Sequence, residues 1–190
     1  MHSLVLLPVM SMSITLGGIH NTGIIQTVLA QKVNIEAQSD ADIALQKAQR
    51  IKADAVDAYF KSKDMPLEGT GMKMVLEAEK NGLDWRLLPA IAIRESTGGK
   101  HDCEKVKNNA FGWGSCKIGF KSNEEAIEVV AWNLGGNNPN TERHYDNKTT
   151  KQILRAYNPP SIVPHYAQQV MAIMDAIGKA DEITIPNTTV

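Results

Sequence analysis

The first 30 residues contain no Asp, Glu, Lys or Arg, and all the charged side chains of this 190-residue chain follow Ala30. The uncharged segment ends in Val28-Leu29-Ala30, a small-residue pattern typical of a signal-peptidase site. We therefore expect residues 1–30 to be a secretory signal, although the usual basic start is missing. The alternative is an uncleaved membrane anchor, but polar residues such as His20 and Asn21 interrupt any run of about 20 apolar residues.

The sequence also lacks a strong charge imbalance and the short motifs of nucleotide-binding proteins. Because the formal net charge is only −1, we expect neither nucleic acid nor an anionic membrane surface as a partner. The sequence has no P-loop, dinucleotide fingerprint or internal repeat, and no cofactor is expected. A hydrophobic content of 43% is enough for a real core, and we expect one monomeric domain with accessory segments.

Cysteine is scarce: Cys103 and Cys116 are the only two. An even number of cysteines in an exported chain favours a disulfide, which would stabilise the fold by about 3 kcal/mol. The alternative is a metal site, but two cysteines without nearby paired histidines make an incomplete ligand set. We therefore expect a disulfide, no metal and no cysteine nucleophile.

The composition changes along the chain and divides it into segments. Residues 31–70 are expected to be a flexible polar linker followed by a helix over Ala41–Phe60, which either acts as a spacer or docks on the domain. Residues 71–178 contain the regular helical patterns and are expected to form the main domain. Residues 179–190 are expected to be a loose tail.

The predicted domain is mostly α-helical, with one loop-rich insertion. Capping residues, glycine stops and prolines mark its helices, which we expect over 72–80, 84–97, 122–134, 149–157 and 164–178. Between them, 98–121 is rich in Gly, Asn and aromatic residues, and we expect a small β-hairpin over 110–120. Residues 137–147 are expected to be a polar loop. The fold class is therefore mostly α with a small α+β element.

One acidic side chain lies on the apolar side of the helix predicted over 84–97. At about 100° per residue, Glu95 shares that side with three apolar residues, Leu88, Ile91 and Ala92. A Gly-Gly pair three residues later stops the helix and puts Glu95 in its last turn. Burial and the negative end of the helix dipole both predict a raised pKa for this carboxyl, as a general acid requires. The alternative is an ordinary solvated glutamate.

Three stretches resemble enzymes that cleave peptidoglycan. Gly82–Ser96 resembles the helix of the lysozyme-like superfamily that ends in Glu-Ser, and Asn109-Ala-Phe-Gly112 resembles the Asn-x-Phe-Gly segment of bacterial endo-β-N-acetylglucosaminidases. Tyr157-Asn158-Pro-Pro with Tyr166-Ala-x-x-Val170 is similar to the tyrosine-bearing segment shared with soluble lytic transglycosylases. The resemblance implies a lysozyme-like fold. The Gly-Leu-x-Gln segment of the transglycosylases is absent, so the subfamily stays open.

The resemblance implies that Glu95 is the general acid and that Tyr157 assists it. Glycoside cleavage commonly needs a second carboxylate, for which Asp102 and Glu104 in the following loop are the nearest candidates. Alternatively, the N-acetyl group of the substrate replaces a protein nucleophile.

The residues expected to hold the sugar are aromatic or small and polar. Phe111 and Trp113 are candidates because aromatic faces cover the apolar side of a pyranose, and core packing is the alternative for Phe111. Polar contacts to acetamide or hydroxyl groups are expected from three residues, Ser96, Asn109 and Asn158, although such residues more often cap the backbone. The scattered histidines, His101, His144 and His165, are expected to be solvated or structural.

The resemblance and Glu95 together predict a secreted or cell-envelope glycosidase that hydrolyses β-1,4 bonds in peptidoglycan glycan strands. The alternatives are a lytic transglycosylase, in which the muramyl 6-hydroxyl attacks instead of water, and a glycan-binding domain of the same fold without turnover. A membrane contact is expected only through residues 1–30, if they are not removed.

Overall fold

We analysed a computed structural model that describes residues 22–184. The chain divides into two compact units, residues 1–42 and 43–190. Seven α-helices and one short 3-10 helix lie within the described residues: α1 Thr22–Ser62, α2 Gly71–Lys80, α3 Leu87–Ser96, the 3-10 helix Trp113–Cys116, α4 Asn123–Leu134, α5 Glu142–Tyr145, α6 Thr150–Tyr157 and α7 Tyr166–Thr184. The mostly α-helical fold class is confirmed.

Helix α3 lies in the middle of the second unit and is buried on nearly all sides. It packs against α7 and α2, while α2 also packs on α4, and α6 packs on α7. Most of its residues are inaccessible to solvent: Leu87, Leu88, Pro89, Ala90, Ile91, Ala92 and Ser96. Such a helix is held by its neighbours rather than by its own propensity. Glu95 is therefore carried by the most enclosed element of the unit.

Several helix ends form as the sequence predicts. Ser122 caps α4 by accepting a hydrogen bond from the Glu125 backbone, and Thr149 forms a full capping box with Gln152 at the start of α6. The start of α3 differs, because the helix expected from residue 84 begins at Leu87. Asp84 precedes it and accepts a hydrogen bond from the backbone N–H of Arg86.

The helix expected over residues 41–60 is the C-terminal half of α1, and it docks rather than acting as a spacer. Val56 and Phe60 are fully buried and belong to the same apolar core as α3. The compact unit consequently begins at Ile43, upstream of the expected start at residue 71. The stretch over 31–40, expected to be a flexible linker, is helical instead because it continues α1.

The expected β-hairpin over 110–120 is wrong. This stretch contains the 3-10 helix and no strand, because Gly112, Gly114, Ser115 and Cys116 all have positive φ values near 60°. A strand requires strongly negative φ, so these residues turn the chain instead of extending it.

Two other segments contain helix where the sequence predicts none. Residues 142–145 of the expected polar loop form α5, and the expected tail after Gly178 continues α7 as far as Thr184. The predicted signal segment lies mostly outside the described residues, since only the backbone of 22–30 is described, as the start of α1. None of the helices within 22–184 combines the length and hydropathy needed to cross a bilayer.

Candidate active site

An open cleft of about 620 Å³ lies at the C-terminal end of α3. Its size is within the range of small-ligand sites. Four parts of the chain line it: Glu95, the loop 112–116, the residues Thr141, His144 and Tyr145 in and before α5, and the residues Tyr157, Asn158, Pro159 and Ile162 at and after the end of α6. Trp113, Tyr157 and Asn158 are therefore in the cleft, as the sequence predicts.

Glu95 is half-buried at the end of α3, as its place on the apolar arc predicts. Burial raises the pKa of its carboxyl, while a hydrogen bond from Tyr166 and the positive charge of Arg94 act in the opposite direction. The loss of hydration is the largest of these effects, so the carboxyl keeps its proton to a higher pH than an ordinary glutamate. This is the state that a general acid needs.

Tyr166, the first residue of α7, contacts the carboxyl of Glu95 directly. Its hydroxyl donates to Oε1 of Glu95 at 2.6 Å, and the Arg94 guanidinium lies 5.7 Å from its ring centroid. Burial and the neighbouring Glu95 raise the pKa of this phenol, which keeps the hydroxyl a donor. The Tyr-Ala-x-x-Val motif contains Tyr166, but helical spacing alone cannot distinguish a buried ring from a buried ring with a working hydroxyl.

Tyr157 forms part of the cleft wall and does not bond to Glu95. Its hydroxyl donates to the carbonyl oxygen of Phe111, and its ring stacks on Tyr166 with centroids 6.0 Å apart. Burial also raises the pKa of this phenol well above its ordinary value. Tyr157 therefore holds the loop and shapes the cleft, and its assistance to Glu95 stays a prediction.

The aromatic rings form a continuous row along the cleft. The Trp113 ring lies 5.8 Å from Tyr157 on one side and 6.4 Å from Tyr145 on the other, and both pairs are tilted. Tyr166 continues the row behind Tyr157 towards Glu95. The cleft consequently has a broad aromatic wall that leads to the carboxyl.

Asn109 and Ser96 do not line the cleft, contrary to their expected role as substrate contacts. Asn109 is fully buried: its Oδ1 accepts from the Trp113 N–H at 2.9 Å, and its Nδ2 donates to the carbonyls of Trp113 and Ile118. Ser96 is also buried and donates to the carbonyl of Ala110 at 2.8 Å. Both side chains hold the loop that carries Trp113.

Phe111, the other aromatic candidate, is a core residue with 1% of its surface exposed. The structure therefore supports the core-packing alternative for Phe111. Only its backbone serves the cleft, through the carbonyl bonded to Tyr157.

The two candidates for a second carboxylate also lie outside the cleft. Asp102 accepts from the backbone N–H groups of Cys103 and Asn109, and Glu104 is exposed on the loop. Within the described part of the chain, Glu95 is the only carboxylate that lines the cleft. The described residues therefore supply one acid and no nucleophilic carboxylate at this site.

The predicted disulfide between Cys103 and Cys116 is confirmed. Cys116 lines the cleft three residues after Trp113, so the bond ties the aromatic loop to the segment that follows α3. No group of three or more His, Cys, Asp or Glu side chains suited to a metal ion occurs among the residues that the structure describes.

Gly112 allows the loop to approach the carboxyl closely. Its φ is +62°, and a Cβ built on this residue would lie 3.0 Å from Oε2 of Glu95. Any other residue here would meet both a left-handed backbone and the carboxylate. The contact with Glu95 thus gives a steric reason for glycine at this position of the Asn-x-Phe-Gly segment.

Four cleft residues escape prediction from sequence: Thr141, His144, Tyr145 and Ile162. Three of them belong to α5 or its N-cap, and a helix of four residues is too short to show a periodic signal. Ile162 is 72% exposed in the proline-rich loop before α7, which resembles an ordinary connection.

Comparison of the chain with family models, with curated proteins and with solved structures finds no match. Its function is therefore inferred from the cleft and from the motifs around it.

Proposed function

We propose that the protein cleaves the β-1,4 bonds between N-acetylglucosamine and N-acetylmuramic acid in peptidoglycan, with Glu95 as the general acid. The supporting observation is a half-buried carboxyl with a raised pKa at the end of an aromatic cleft. Cleavage needs a proton on the leaving oxygen, and a carboxyl whose pKa is raised by burial can supply it.

Tyr166 decides which oxygen of Glu95 gives up the proton. Because Oε1 accepts a hydrogen bond from Tyr166, the acidic proton is carried by Oε2. Oε2 is the oxygen next to Gly112, on the cleft side of the carboxyl. Tyr166 thus acts as a positioning residue that presents the proton to the substrate.

The aromatic row and Asn158 suit a sugar chain. Trp113, Tyr157 and Tyr145 offer ring surfaces to the apolar faces of pyranose rings, while the Asn158 amide can bond hydroxyl or acetamide groups. The Cys103–Cys116 disulfide supports a place outside the reducing cytoplasm, where peptidoglycan lies.

Because Glu95 is the only carboxylate among the described residues that line the cleft, we favour a reaction in which the substrate provides the nucleophile. In one route the acetamide oxygen attacks C1 while Glu95 protonates the leaving oxygen. Water then opens the cyclic intermediate and returns a proton to the Glu95 carboxylate, which completes hydrolysis. In the second candidate route, transglycosylation, the muramyl 6-hydroxyl attacks C1 and its proton replaces the one lost by Glu95. We favour hydrolysis because Asn109–Gly112 resembles the glucosaminidase segment.

The chemical nature of the new chain ends tests this choice. On purified sacculi we expect ends that borohydride reduces, with N-acetylglucosamine at the new terminus. Mass spectrometry of the products before and after reduction measures this.

Each other outcome changes the proposal in a definite way. Dominant 1,6-anhydromuramyl ends would overturn the hydrolase and make the protein a lytic transglycosylase, while reducible muramic acid ends would make it a muramidase. Binding without any cleavage would identify a glycan-binding domain.

A methyl group at Gly112 should impair cleavage beyond its effect on stability. Gly112→Ala places a Cβ against Oε2 of Glu95, and we expect cleavage to fall roughly 10- to 100-fold because the carboxyl must move. The control is Gly82→Ala, since Gly82 has a similar φ of +67° but no atom within 4 Å of its added Cβ. Both variants should lose about 1–2 kcal/mol from the left-handed backbone. Equal activities of the two variants would contradict the close contact.

A further inference from the structure

Helix α5 carries a basic pair that the proposed acid chemistry does not use, and only the histidine of this pair lines the cleft. His144 lines the cleft, and Nε of Arg143 donates to its Nε2 at 3.1 Å. The imidazole also packs edge-on against Tyr145, with ring centroids 6.2 Å apart. His144 is exposed, and its imidazole lies between the Arg143 guanidinium and the Tyr145 ring.

The charges around the cleft make the α5 side suitable for an anion. Glu95 is the only carboxylate in the lining formed by described residues, and its raised pKa reduces its negative charge. Glu142 and Asp146 flank the pair along the chain and, like Arg143, are exposed and lie outside the cleft lining. With Nε2 occupied as an acceptor, a neutral His144 carries its proton on Nδ1 and remains a donor. Arg143 is exposed and retains further guanidinium N–H groups.

We propose that Arg143 and His144 bind a carboxylate carried by the muramyl residue of the glycan, and so distinguish peptidoglycan from uncharged chitin-type chains. This inference rests on the proposed function and names the substrate group that the cleft recognises. N-acetylglucosamine carries no charge, whereas N-acetylmuramic acid has a lactyl group. Its carboxyl is either free or joined to a stem peptide that has carboxylates of its own. A guanidinium and an imidazole N–H together match such a group.

Binding to three glycans of equal length tests the proposal. Glu95→Gln serves as the background, so that no ligand is cleaved during the measurement. The ligands are chitotetraose, a peptidoglycan tetrasaccharide stripped of peptides, and the same tetrasaccharide with its stem peptides. Dissociation constants are measured by calorimetry with and without Arg143→Gln plus His144→Gln. The control pair is Arg50→Gln plus His101→Gln, because Arg50 and His101 are exposed and outside the cleft lining.

We expect the Arg143 and His144 changes to weaken binding of a carboxylate-bearing glycan roughly tenfold, and chitotetraose less than twofold. Added salt should weaken the same charged ligand in the parent protein and leave chitotetraose nearly unaffected. Weaker binding of the stripped glycan by the variant identifies the lactyl carboxylate as the ligand. Weaker binding of the peptide-bearing glycan alone identifies the stem peptide as the ligand.

Equal weakening of all three ligands, or of none, would overturn the proposal. Arg143→Gln alone, which leaves the imidazole in place, provides the same test if the double variant does not fold. Failure of the parent protein to bind any of the glycans would instead overturn the proposed function itself.

Discussion

We expect Glu95→Gln to abolish the proposed glycan cleavage and to leave the fold intact. Loss of the proton donor should lower the rate at least about 100-fold, since general acid catalysis is worth that much or more. The amide conserves the volume of the side chain, and its oxygen can still accept the hydrogen bond from Tyr166. The rate of release of soluble fragments from sacculi, with the thermal midpoint measured alongside, checks the prediction.

The control for this variant is Glu104→Gln. Glu104 is exposed on the loop outside the cleft, and its loss should change neither activity nor stability appreciably. Retention of cleavage by Glu95→Gln would end the assignment of the acid, whatever the control does.

The raised pKa of Glu95 also predicts how the stability difference between the two proteins depends on pH. Below the ordinary glutamate value of 4.5 the carboxyl is neutral whether the chain is folded or unfolded. As pH rises through the raised pKa, the folded protein must charge a partly buried group, and the wild type loses stability that the Gln variant keeps. The thermal unfolding midpoint of Glu95→Gln should therefore increase relative to that of the wild type as pH rises from 4 towards 8.

Removal of the disulfide gives the largest expected loss of stability. Cys103→Ser with Cys116→Ser should lower the free energy of unfolding by about 3 kcal/mol, because the unfolded chain regains the freedom of a loop closed over 13 residues. Ser115 and Cys116 are held at positive φ values of 55° and 56°, which L-residues avoid, so the freed loop should also relax. Urea unfolding of the wild type, the double variant and the reduced wild type measures the effect.

Comparison of the double variant with the reduced wild type distinguishes the effect of the serine side chains from the effect of losing the disulfide. The two proteins should have the same stability. Mass spectrometry of non-reduced, exported protein tests the bond itself. Two free thiols in that material, or an unchanged unfolding midpoint after reduction, would contradict the prediction.

Sequence reasoning finds Glu95 because an acidic residue on an apolar helical face is unusual, and the glycine stop places it at a helix end. It assigns Asn109 and Ser96 to the wrong task because a polar side chain near a site can serve either the ligand or the backbone. Only the full set of bonds in three dimensions separates the two. Tyr166 escapes because its position in the apolar pattern is explained by its ring, and the pattern contains no information on the hydroxyl.

The errors in secondary structure have an equally physical origin. The expected hairpin fails because alternating small and aromatic residues do not show the sign of φ at Ser115 and Cys116. Helix α5 is missed because four residues span little more than one turn, and His144 is missed with it. Tertiary contacts determine the conformation of both segments, and those contacts cannot be inferred from a single sequence.

The enclosure of α3 gives the two sides of the cleft different resistance to local opening. Exchange of its backbone amides with solvent requires the surrounding helices to separate, so it is tied to opening of the whole core. The opposite side is built from a four-residue helix and a loop whose backbone lies near the surface. Adjustment to ligands of different thickness can therefore occur on that side, while the Glu95 carboxyl keeps its position as long as the core stays folded.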